Sequence, residues 1–286
     1  MLINLAAALT ATLALAQQTD TTFSVPPNGR LSLHNVAGLV DIHTWKREAV
    51  RARVDHGSRD RVDVLTSGST VTLEVESRYG GPSVANFDLT IPRSMAIEIH
   101  GVEVTVSLDG VGADVSVQSV EGSIDVRGGN GLVSLQSVDG DITLEGARGK
   151  ISVNAVDGYV EIRDVEGDIN VQGVDGDITL ERVDSGNVDV ATVEGDILYD
   201  GTIQDGGRYF LSTHDGDLRV AVTGRVNARV SVATFDGEFS APCPIRFDGP
   251  IDSKRFSFTL GTGKALVELE SFDGLIELVQ PAGSCP

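Results

Sequence analysis

The sequence predicts an all-β chain folded as a parallel β-solenoid (β-helix) of about 18 residues per coil, right-handed, with capping strands at both ends. Three observations predict it. Glycine recurs in steps of nine at Gly122, Gly131, Gly140, Gly149, Gly158, Gly167 and Gly176, then at Gly186 and Gly195 after one inserted residue. Apolar residues alternate after each glycine, as in Ile124 and Val126 or Ile142 and Leu144, which is the period of a strand with one buried face. A doubled period lies over the first, in Gln118-Ser-Val-Glu-Gly, Gln136-Ser-Val-Asp-Gly, Asn154-Ala-Val-Asp-Gly and Gln172-Gly-Val-Asp-Gly. Two nine-residue units therefore make one coil.

A strand this short cannot bury its face alone, so the units must stack. Seven residues after a glycine stands another apolar residue, as in Val138, Val156, Val165, Val174 and Val193. These are expected to turn inward and fill the corner. The Asp-Gly pairs are turn formers, with glycine free to take positive φ. An Asp-Gly hairpin meander is the competing fold, but it gives no reason for every unit to keep one length and one corner residue.

Taken in chain order, residues 1–16 read as a secretory signal: an apolar run too short to span a bilayer, ending in Ala14-Leu15-Ala16, a small-x-small cleavage pattern. No Lys or Arg precedes the run. The chain is expected to be exported to the periplasm or cell surface and to have no membrane span. Residues 17–100 lack the strict unit and are expected to form an N-terminal β cap, with a strand ending at Pro92. Residues 101–286 are expected to form the solenoid. Its coils enlarge after Gly195, where the glycine spacing widens to Gly216 and Gly237 and the corner residue grows to His214, Phe235 and Phe272.

The net charge of −20 argues against nucleic acid, which needs basic patches, and against charge-driven docking on anionic lipid. Positive charge gathers early, at Lys46, Arg47, Arg51, Arg53, Arg59 and Arg61. The two cysteines, Cys243 and Cys285, suit an oxidising compartment. Paired, they close a loop of about 42 residues, worth roughly 4 kcal/mol; two unpaired thiols are the alternative.

The acidic corners are the first candidates for chemistry. Stacking places Glu121, Asp139, Asp157, Asp175 and Glu194 in one column, with Asp141, Asp177 and Asp196 close by and Tyr159 interrupting. Ca²⁺ takes clustered carboxylates, so Asp139, Asp157, Asp175 and Glu194 are a candidate cation site. Solvated Asp-Gly turns are the plainer explanation, since the calcium-binding nonapeptide is not matched, and no cofactor is otherwise called for. His34 and His43 are placed to approach one another across the first strands, and His214 to pack as a ring in a corner. No Gly-x-Ser-x-Gly, no His-x-x-x-His and no carboxylate pair that stands out from the rest points to catalysis.

In order, four features resemble the bacterial putative-adhesin family of envelope β-strand-repeat proteins: Asn35-Val-Ala-Gly-Leu-Val-Asp-Ile, Leu89-Thr-Ile-Pro-Arg93, the Val-Asp-Gly-Asp-Ile units, and Gly261-Thr-Gly-Lys-Ala with Ser271-Phe-Asp-Gly-Leu-Ile. The likeness covers roughly residues 30–279. It implies a β-helical fold outside the cytoplasm and supplies no catalytic residues. The expected function is a non-enzymatic, monomeric structural or interaction module. It presents a stacked polar face, with Thr143, Glu161, Asn170 and Thr179 outward, to a protein or envelope partner. An envelope polysaccharide-binding or -processing protein is the alternative, and an end-to-end polymer of stacked coils ranks third.

Overall fold

The computed structural model describes residues 17–78, 80, 83–242, 245–248 and 254–279. The expected signal segment 1–16 and both Cys243 and Cys285 lie outside the described residues. What is described is all-β and solenoid-like: one 23-stranded sheet, with no helix among the described residues.

The repeating coil follows from the alternation. In strand Asn130–Asp139 the inward residues Val133 and Leu135 are fully buried, and in Ile142–Glu145 so are Ile142 and Leu144. These two strands back onto each other through one sheet of apolar side chains. The next coil lies on them in parallel, pairing Val133 with Ile151 and Leu135 with Val153, then Ile142 with Val160 and Leu144 with Ile162. Parallel pairing throughout the repeat rules out the hairpin meander. Each buried aliphatic side chain contributes about 1.5–3 kcal/mol. A run of stacked aliphatic residues lets each interior one pack against its aliphatic counterparts in the coils on either side.

Two corners join the strands of a coil. At the first, Gly122, Gly140, Gly158, Gly176 and Gly195 sit one above another at positive φ. A Cβ on Gly158 (φ 137°) would come within 2.7 Å of the Gly140 carbonyl oxygen. Glycine is needed here for close approach of backbone to backbone as well as for its φ. The residue inserted before Gly186 is absorbed as a bulge, where Glu166 pairs with Asp184 but Asp168 with Asn187. Ser185 turns inward there, and its hydroxyl donates to the Asn187 carbonyl at 2.7 Å.

The ends depart from chain order. Strand Arg30–Trp45 pairs in parallel with Ala96–Val111 on one side and with Thr70–Ser77 and Ala85–Pro92 on the other. An early segment is thus sandwiched between later ones. The expected division at residues 100 and 101 falls inside Ala96–Val111, which runs without a break. At the other end, Ala265–Asp273 lies between Arg208–Asp215 and Ala228–Thr234. Gly237 accordingly stacks on Gly274, and Gly274 on Gly216. Antiparallel strands finish both ends: Gln17–Ser24 and Asp60–Ser67 at one, Arg255–Leu260 at the other. Larger side chains fill the wide C-terminal coils. Tyr199 and Tyr209 are buried with their rings 6.1 Å apart, and their hydroxyls donate to the Thr202 and Ser185 carbonyls. Burial pushes both phenols above their ordinary pKa.

Candidate functional site

The first corner reverses one expectation. Strand alternation runs on through it: Leu135 points in, Gln136 out, Ser137 in and Val138 out. Val102, Val120, Val138, Val156, Val174 and Val193 are therefore surface residues, each 43–47% exposed. The small residue before Val120, Val138, Val156 and Val193 takes the inward place, as Ser119, Ser137, Ala155 and Thr192, and Thr213 does the same one coil further on. Ser119 donates to the Val104 and Glu121 carbonyls at 3.0 and 2.8 Å, and Thr213 to the Gly195 carbonyl at 3.0 Å. Only Val165, which belongs to the second corner with Ala147 and Val183, is buried as expected.

In-register pairing lines these valines up in one apolar row. Val36 extends it at the N-terminal end, beyond Val102. His214, Phe272 and Phe235 extend it beyond Val193, in that spatial order. The rings touch: His214 and Phe272 lie 4.6 Å apart, Phe272 and Phe235 4.7 Å apart and nearly parallel. The Lys254 ammonium sits 3.6 Å above the Phe235 ring, a cation–π contact. An open groove of about 490 Å³ flanks this aromatic end, lined in part by Thr213, Arg255 and Glu270. Ten rows at roughly 4.8 Å make a strip about 43 Å long.

A carboxylate column flanks the strip on one side. The structure brings Glu121, Asp139, Asp157, Asp175 and Glu194 together as expected, and adds Glu103 before them and Asp215 and Asp273 after. None of the eight forms a salt bridge with a described residue. They stand one per coil. Among the described residues no three His, Cys, Asp or Glu gather as a group able to hold a metal ion. The second acidic line does a different job. Asp141 accepts the Tyr159 N–H at 2.9 Å, Asp177 that of Asp196 at 2.8 Å, and Asp196 that of Asp217 at 2.7 Å. These aspartates tie each turn to the next coil.

On the other flank runs a polar ladder. His34 stacks on His100 at 5.2 Å, His100 Nδ1 meets Gln118 Oε1 at 3.0 Å, and the Gln118 amide donates to Gln136 at 3.0 Å. Hydrogen bonding to His100, opposed by desolvation and aided by Arg30, lowers the pKa of Glu98. His43 does not meet His34; it lies at the second corner, 3.4 Å from Asp41 and 4.0 Å from Asp109. The four outward residues expected to share one face are also divided. Thr143, Glu161 and Thr179 align on one side of the solenoid, while Asn170 pairs with Ser152 and Asp189 on the other. The Gln-Ser-Val-Asp-Gly repeat contained the signal for the three-column strip, which becomes visible once Val138 is carried outward by the strand period.

The profile of the Toastrack DUF4097 family matches residues 29–278. The chain belongs to this family. That membership agrees with the adhesin-like resemblance of the strand repeats. No curated protein matches the chain significantly. Among solved structures, a "putative cell adhesion protein" from Clostridium sporogenes is 11% identical, covering 92% of this chain and 100% of its own, with a TM-score of 0.25. A "putative lipid binding protein" from Parabacteroides distasonis is 10% identical over 92% and 96%, with a TM-score of 0.34. A "putative adhesin" from Parabacteroides merdae is 10% identical over 92% and 96%, with a TM-score of 0.31. Overlaps of this size carry no functional inference.

Proposed function

We propose that this Toastrack chain is a non-catalytic interaction module of the bacterial envelope. It is exported to the periplasm or cell surface, works as a monomer, and presents stacked side-chain columns on a right-handed solenoid to a protein or envelope partner. The observation that carries the reading is the first corner, where an apolar strip runs the length of the coils between a polar ladder and a carboxylate column. Contiguous exposed apolar surface of this extent marks an interaction site more often than a bare surface. The regular columns distribute one side-chain type along the molecule instead of converging different types on one point, which suits binding better than turnover. No metal or other cofactor enters the reading.

The test is a photo-reactive amino acid placed in turn at Val156, Glu161 and Asn170 in the native host. The expected result is a discrete adduct from position 156 and weaker ones, or none, from 161 and 170. A turnover activity abolished by mutating one small cluster of residues would overturn the proposal. The aromatic end favours one second reading, because Phe235, Phe272 and His214 beside an open groove resemble a sugar-stacking platform. Specific hits on a glycan array, lost in Phe272→Ala, would select it.

A further inference from the structure

We infer that the apolar strip docks a cationic amphipathic helix lying along the solenoid axis. The inference rests on the interaction-module reading and names the class of partner. Three observations carry it.

The first is charge. The arginines that form salt bridges among the described residues do so away from the column: Arg51 with Asp20, Arg53 with Asp88, Arg148 with Glu166, Arg163 with Glu181 and Arg182 with Asp164. The column beside the valines is a continuous acidic run that forms no salt bridge with a described residue and, unlike Asp141, Asp177 and Asp196, does not use its carboxylates to hold the next coil's backbone. Attraction to such a column steers and orients a basic partner, and it repels anionic lipid and a second copy of this acidic chain.

The second is the backbone. Between coils the amides and carbonyls of this corner are already satisfied, as in Gly140 N–H to the Asp157 carbonyl at 3.0 Å and Gly158 N–H to the Asp175 carbonyl at 3.2 Å. A partner gains no ladder hydrogen bonds by adding as a strand, so recognition must run through side chains. The row spacing then favours a helix. Same-face residues of a strand are about 6.7 Å apart, whereas successive turns of a helix are 5.4 Å apart and residues i and i+3 about 4.5 Å. Both helical spacings lie within about 0.6 Å of the roughly 4.8 Å row step. Long lysine or arginine side chains on such a helix reach sideways to the carboxylates while its apolar stripe covers the valines.

The third is a contact inside the chain that already shows the chemistry. Lys254 places its ammonium on Phe235, the last ring of the strip. Cation and apolar surface are thus combined at the aromatic end by the protein's own side chain.

The experiment uses the mature full chain and a synthetic 18-residue leucine–lysine peptide patterned as an amphipathic helix. At about 27 Å it matches the rows from Val102 to Val193. Titration by fluorescence anisotropy is expected to show saturable binding with a gain of helical circular dichroism. Affinity should fall at least tenfold in V138T/V156T/V174T and in D139N/D157N/D175N, both with unchanged β-sheet spectra, and should weaken with added salt. Valine-to-threonine keeps the shape and strand propensity of the corner, so the first variant tests the apolar strip and the second the charge. A lysine–serine peptide binding as tightly as the leucine–lysine one overturns the inference, as does unchanged affinity in either variant. Binding of phosphatidylglycerol vesicles with none of the peptide also overturns it, in favour of a membrane surface. If no peptide binds yet position 156 still cross-links a protein in cells, this inference fails and the interaction-module reading stands.

Discussion

The two corners of the solenoid are built by the same stacking rule and reach opposite electrostatic outcomes. At the first, like sits over like: valine over valine and carboxylate over carboxylate, from Glu103 to Asp273. At the second, signs alternate up the column through Asp109, Arg127, Glu145, Arg163 and Glu181. Arg127 reaches Glu145 at 3.5 Å and Arg163 reaches Glu181 at 3.2 Å. Arg148 pairs with Glu166 and Asp164 with Arg182 beside them. A parallel in-register stack multiplies whatever its repeat contains. The second corner neutralises itself, and the first accumulates charge and exposed apolar surface.

The largest expected effect separates the corners by their backbones. Gly158→Ala should cost about 2–4 kcal/mol, because the new methyl meets the Gly140 carbonyl as well as a φ closed to alanine. Gly146→Ala should cost only about 1–2 kcal/mol, since its φ of +71° is left-handed but nothing lies within 4 Å. Urea denaturation of the two variants measures the difference, and equal losses would mean that the first corner is not close-packed.

Next come two valines at equivalent places in the nine-residue unit. Val165→Thr should lose about 1–3 kcal/mol through a buried hydroxyl, while Val156→Thr should stay within about 0.5 kcal/mol. Thermal melts decide it. A smaller effect is expected from exchanging the corners' electrostatics. Asp157→Arg places a positive charge between Asp139 and Asp175 and should stabilise by about 1 kcal/mol or less, and Arg163→Glu should destabilise by a similar amount. Both differences should shrink in 0.5 M salt. Millimolar calcium should raise the melting temperature no more than sodium chloride of equal ionic strength; a saturable shift would make Asp139, Asp157, Asp175 and Glu194 a cation site.

The smallest effect is in acid. The hydrogen bond from Arg182, opposed by desolvation, lowers the pKa of the Asp164 carboxyl. A lowered pKa means that its contribution is present above the unfolded-chain value, near 3.9, and is lost as pH falls through the lower folded value. The difference in melting temperature between wild type and Asp164→Asn should therefore be constant above about pH 5 and close only below about pH 4.

Much of the strip was legible in residue order, and the part that was not has a plain cause. The eighteen-residue recurrence of Asp139, Asp157 and Asp175 gave the carboxylate column, because register in a repeat follows from its length. The valines beside them read as core residues by composition. Their orientation depends on whether the strand ends before the corner or runs through it, and Asn130–Asp139 runs through. The face of Asn170 is hidden in the sequence for a related reason: two strands per coil look alike in residue order and differ only in which side of the core they cover.

By itself the sequence determined the all-β class, the in-register stacking and the glycine corners, since each depends on a period and on local steric limits that neighbours share. Tertiary structure alone decided the order of the ends. Gly216, Gly237 and Gly274 follow one another along the chain, yet Gly274 lies between the other two in space. Strand Arg30–Trp45 is likewise enclosed by strands that come after it. Every coil offers nearly the same pattern to a neighbour, so periodicity cannot choose among them. The choice falls to side-chain size and to the edges that must be covered: Phe272 filling the place between His214 and Phe235, and antiparallel strands closing ladders that would otherwise recruit another chain.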